Sequence, residues 1–126
     1  MKDDSPISPH IQIYNWHISS LVSISHRITG IINIIIITLI CFWVGFLLLG
    51  NTNYEVVENF FNTFVGKFVI AVTVWSFSFQ ALSEIRHLFW DLGFGFELKT
   101  SNITGLLVIF GSIVLTILIF GVNFIL

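Results

Sequence analysis

Three stretches of the chain, residues 28–54, 68–83 and 100–126, contain no charged side chain. Their apolar residues run continuously, without the period of two that marks a strand of a membrane β-barrel. A helix needs about 20 apolar residues to cross the hydrocarbon core of a bilayer. The first and third stretches suffice unaided. The second suffices once 60–67 and 84–90 are added, which gives a longer helix with polar tips. The pattern predicts an all-α integral membrane protein with three transmembrane helices at about 20–49, 60–90 and 103–126. The whole chain, 1–126, is then one transmembrane domain, with 1–19 as a short polar N-terminal segment and 50–59 as a loop.

Composition agrees with this reading. Hydrophobic residues make up 56% of the 126 residues and charged residues 10%, against about 45–50% and 25% in an ordinary soluble domain. So few charges cannot cover the surface of a small soluble protein, and a basic patch for nucleic acid is missing. The single cysteine, Cys41, offers no C-x-x-C spacing for zinc or an iron–sulfur cluster, and no phosphate-binding glycine motif occurs. Flavin, nucleotide and clusters would therefore reside in other subunits. Lys2, Arg27, Arg86 and Lys99 gather at one end of the predicted spans, while the 50–59 loop carries Glu55 and Glu58. By the positive-inside rule the N-terminus and the 84–102 connection face the cytoplasm or the mitochondrial matrix. The opening residues Met1-Lys2-Asp3-Asp4 are unlike a transit or signal peptide. The expected locations are the mitochondrial inner membrane and the bacterial plasma membrane.

Polar groups within a span carry a cost and call for a partner or a ligand. Ser23, His26, Arg27 and Gly30 fall at i, i+3, i+4 and i+7, one face of the first helix, which Ser19 and Ser20 continue. Donors converging at headgroup depth suit a ligand whose polar head sits at the interface and whose tail lies in lipid. A second face, Ser76, Gln80, Glu84, His87 and Asp91, runs along the second helix, where it serves either helix–helix packing or a pathway through a small transporter. Gly105, Ser112, Thr116 and Asn123 form a packing face on the third. Trp16 and Trp90 stand where an interfacial aromatic belt would place them.

Two segments carry a family resemblance. Ser8-Pro9-His10-Ile11-Gln12-Ile13-Tyr14, followed by Ser23-Ile24-Ser25-His26-Arg27-Ile28-Thr29-Gly30, resembles the N-terminal signature of the cytochrome b anchor subunit of succinate dehydrogenase, respiratory complex II. Ile85-Arg86-His87-Leu88-Phe89-Trp90-Asp91-Leu92-Gly93 is similar to the family's second signature. The resemblance implies a non-catalytic subunit that tethers a flavoprotein and an iron–sulfur subunit to the membrane. With a second small anchor, it would build the ubiquinone-reduction site of the respiratory chain and tricarboxylic acid cycle. It places Ser23 and Arg27 at the quinone, with Trp16, Ile24 and His26 as further candidates. His26, Arg27 and His87 would lie at the edge of a haem b where one is bound. A guanidinium beside a quinone stabilises charge developing on its oxygens, and a hydroxyl can bond its carbonyl.

The chain departs from that pattern at one pocket. The family's axial haem histidine lies seven residues before the histidine of the Arg-His pair, with a glycine four residues after it. Here those positions hold Gln80 and Glu84. An amide is a poor iron ligand beside imidazole, and a carboxylate chain removes the close approach that glycine allows. The expectation is therefore no axial ligand from this chain in the usual place, and a haem b that is absent or differently held. Two other readings remain open at this point: a haem-carrying electron-transfer cytochrome and a small membrane transporter or channel component.

Overall fold

The computed structural model describes the backbone of residues 16–125 and, within it, the side chains of all but 51–53, 124 and 125. The segment Ser8–Tyr14 of the first signature, and most of the predicted 1–19 segment, lie outside the described residues. Four helices follow one another: α1 (Ile18–Leu47), α2 (Asn51–Asn62), α3 (Phe64–Asp91) and α4 (Leu98–Ile125). α1, α3 and α4 are each long and apolar enough to cross a membrane. At 1.5 Å per residue, the 30 residues of α1 reach about 45 Å, so its ends extend into both headgroup layers.

The three spans stand as expected, but the expected loop at 50–59 is instead a short helix, α2. Its two glutamates and several asparagines read as a loop, yet Tyr54, Val57 and Phe61 recur at helical spacing, and Val57 and Phe61 are half-buried. The Phe61 ring meets Trp43 of α1 edge-on, with centroids 6.4 Å apart. Gly50 begins the helix with φ of 125°, a conformation that residues bearing a Cβ rarely adopt. Thr63 separates α2 from α3: its extended backbone breaks the helix, and its Oγ1 accepts from Gly66 N at 3.1 Å as the N-cap of α3. The corner is tight. A Cβ on Gly66 would collide with the Phe60 carbonyl and lie 2.6 Å from Phe61 Cα. The second span therefore starts at 64, where 60 was expected.

The apolar core is small: Val22, Phe79 and Val108, flanked by Ile18, Trp75, Leu82 and Ile109. Buried polar residues outnumber it, namely Thr29, Asn33, Ser76, Ser78, Ser83, Arg86 and Ser112. Lipid is as apolar as leucine, so close packing of small residues and interhelical hydrogen bonds hold such helices together in place of hydrophobic burial. Gly105 shows the small-residue part, since a Cβ there would stand 2.8 Å from Ile18 Cγ2 of α1. Of the face expected on the third span, Gly105 and Ser112 are buried and Thr116 is half-buried. Asn123 is exposed and donates to the Ile119 carbonyl at 2.8 Å.

Candidate functional site

The face predicted on α1 divides. Its four residues spread over an arc of about 100° at 100° per residue. His26 and Gly30 lie at the edge turned toward α3, whereas Ser23 and Arg27 are exposed on the flank. His26 Nε2 lies 3.0 Å from Glu84 Oε1. Because a carboxylate can only accept, Nε2 carries the proton in that bond. Gly30 allows a close approach to α3, for a Cβ there would meet Gln80 Nε2 at 3.4 Å. Among the described residues, neither Ser23 nor Arg27 has a hydrogen-bond partner. Ile24 is exposed beside them, and Trp16 is exposed just ahead of the helix.

The face predicted on α3 is largely consumed by α1. Ser76, fully buried, donates to Asn33 Oδ1 at 2.6 Å, with the Thr29 carbonyl as a second acceptor at 3.1 Å. One turn on, Gln80 Nε2 donates to the His26 carbonyl at 2.6 Å and to Thr29 Oγ1 at 2.8 Å. Glu84 and His87 complete the run. The His87 ring lies 5.6 Å from that of His26, and its Nδ1 donates to the Ser83 carbonyl at 2.7 Å, which leaves Nε2 open. Asp91 is exposed at the end of the helix.

This arrangement bears on haem. The side chain in the family's axial position is an amide whose nitrogen is already bonded twice to α1, and the neighbouring carboxylate is bonded to His26. Seating an iron there would break these interhelical bonds, at about 0.5–1.5 kcal/mol each, although the Thr29 hydroxyl and His26 carbonyl keep their own bonds within α1. The residues at positions 80 and 84 do not fit an axial haem ligand.

Arg86 is the residue that sequence reasoning misplaced. It served there as a charge marking one side of the membrane, but its side chain is 5% exposed and points into the bundle. Nε donates to Thr104 Oγ1 at 3.1 Å, and one terminal nitrogen reaches the Ser101 carbonyl and hydroxyl, each at 3.0 Å. Ser19 Oγ of α1 lies 3.2 Å from the same Ser101 hydroxyl. The guanidinium stacks on Trp90, 4.1 Å from the ring centroid, and Trp90 Nε1 donates to the Gly95 carbonyl at 3.2 Å. Trp90 is thus part of this clamp and not a free interfacial anchor. The clamp joins α1, α3 and α4 at the end of the bundle that holds Ser23 and Arg27. Its one signal in the sequence is that Arg86 falls off the polar stripe, on the side occupied by Phe79 and Ser83.

Fold and site together define a polytopic helical membrane subunit with a polar interhelical seam at one end and, beside it, two donors without a partner among the described residues. The family model for the succinate dehydrogenase/fumarate reductase transmembrane subunit matches residues 1–119, and the chain belongs to that family. It is 37% identical over 114 residues to the succinate dehydrogenase cytochrome b556 subunit of Rickettsia felis, covering 90% of this chain and 89% of that one. The cytochrome b556 subunit of Paracoccus denitrificans is 28% identical over 124 residues, with 98% and 95% covered. The cytochrome b560 subunit of Marchantia polymorpha is 32% identical over 125 residues, with 94% and 90% covered.

Proposed function

We propose that this chain anchors a succinate dehydrogenase complex in the mitochondrial inner membrane or a bacterial plasma membrane, and that Ser23 and Arg27 form part of its ubiquinone-reduction site. One observation carries the reading: a guanidinium and a hydroxyl lie side by side about two turns into a membrane span, with no hydrogen-bond partner among the described residues. Such groups are costly unless a ligand or a neighbouring subunit satisfies them. The flavoprotein and iron–sulfur subunits supply the electrons, and a second small anchor closes the far wall of the pocket. The end bearing Arg27 and Lys99 faces the matrix or cytoplasm, as the distribution of basic residues favours. Here Arg27 stabilises charge on the quinone oxygen, Ser23 orients it by a hydrogen bond, and Trp16 and Ile24 flank the ring. The transporter reading loses support because the α3 stripe it needed as a pathway is bonded to α1.

The relatives' names refer to a cytochrome b, but this chain supplies no axial ligand from position 80. Isolation of the native complex tests both statements at once. The chain should co-purify with a flavoprotein and an iron–sulfur protein, and the dithionite-reduced minus oxidised spectrum should show little b-type signal. A chain that purifies alone as a homo-oligomer would contradict the anchor reading, and one haem b per complex would contradict the ligand reading.

A further inference from the structure

His26 of α1 is bonded to Glu84 and in tilted ring contact with His87, both of α3, yet anchoring the complex does not require this cluster to be ionisable. Glu84 lies seven residues before the end of α3, roughly 10 Å along the axis. It is largely exposed on the outside of the bundle, and its one bond among the described residues is to an imidazole. Ser or Gln would pack the seam as Ser76 and Gln80 do. An ionisable pair at this depth marks proton movement or ligand binding more often than packing. His26 is also a helical neighbour of Ser23 at i+3 and adjoins Arg27, so the cluster borders the proposed quinone site.

We infer that His26, Glu84 and His87 form a proton relay serving quinone reduction, with His26 as the group that hands protons to the quinone and Glu84 as the residue that positions and reloads it. The inference rests on the quinone-site reading above. Reduction of ubiquinone takes two electrons, here from an iron–sulfur cluster of a partner subunit, and two protons, and it forms two O–H bonds. Each proton leaves an N–H of protonated His26, which reverts to neutral imidazole. Water at the membrane surface restores it by way of His87 and Glu84. The charged and titratable groups facing His26 are Glu84 and His87 from α3, with exposed Asp91 one turn beyond His87; Arg27, next along α1, turns outward to the flank. Arg86 points away, into α4.

Glu84→Gln separates a relay from a structural bond, since glutamine still accepts from His26 Nε2 but carries no exchangeable acid proton. In the assembled complex, succinate–ubiquinone reduction by E84Q should fall at least about tenfold, less than the roughly 10²–10⁴-fold that a positioned proton donor contributes, because Glu84 acts through His26. The solvent deuterium isotope effect on that rate should rise. E84D should recover most of the rate, and succinate oxidation by a soluble dye should stay unchanged in both variants. If E84Q reduces quinone normally while R27A and S23A do not, the relay is overturned and the quinone site stands. If none of the three variants affects quinone reduction, the site itself is overturned and the relay with it. Equal loss of dye and quinone activity in E84Q would show a defect of assembly and would also overturn the relay.

Discussion

Arg27→Ala should lower succinate–ubiquinone reduction by on the order of 10²-fold, the usual loss when one preorganised donor to developing charge is removed. Reduction of a soluble dye by succinate should be spared. The two assays divide the electron path: the dye accepts electrons ahead of the quinone, so only steps at the membrane site separate them. Ser23→Ala should cost less, about tenfold, as expected for a single hydrogen bond near 1.4 kcal/mol. Arg27→Lys should recover only part of the loss, because an ammonium keeps the charge but not the planar fork of donors. Neither side chain has a hydrogen-bond partner among the described residues, so both variants should assemble normally. Equal loss in both assays would place these residues in assembly and not at the quinone.

Arg86→Ala should produce the largest loss of stability. The guanidinium makes three hydrogen bonds to Ser101 and Thr104 and lies on the Trp90 ring. Hydrogen bonds to a charged group are worth roughly 1.5–3 kcal/mol each, and a desolvated cation–π contact adds about 2 kcal/mol. Since these terms are not additive, a net loss on the order of 3 kcal/mol is expected. It should appear as a lower thermal midpoint of the detergent-solubilised complex and a reduced yield of assembled enzyme, with quinone and dye activities falling together. Arg86→Lys should rescue little, since lysine cannot reach Thr104 and Ser101 at once while stacking on Trp90. Normal stability of R86A would remove the clamp from this account.

The three spans were legible because charge-free runs of sufficient length leave a bilayer-crossing helix little alternative. α2 was not: its inward stripe is only Val57 and Phe61, and it is held by Trp43 of α1 and by the tight Thr63–Gly66 corner that follows it. The periodicity around Ser23, His26, Arg27 and Gly30 correctly placed four residues on one side of α1. It could not say which edge of that arc meets α3, since relative angles on one helix carry no information about its neighbour. His26 turned inward and Arg27 outward for that reason. Gln80 and Glu84 were legible as departures from a family pattern, but the bonds they make to α1 depend on helix packing. Arg86 was hardest to read, because its partners Ser101 and Thr104 begin the next helix and look like ordinary interfacial polar residues.

The central claim is that a quinone head lies against the exposed flank of α1. A photoreactive ubiquinone analogue, activated in the native complex and followed by peptide mapping, tests this most directly. The account predicts that label falls on the α1 peptide containing Ser23 and Arg27 and that excess ubiquinone displaces it. Label confined to other subunits, or label on this chain that ubiquinone does not displace, would contradict it.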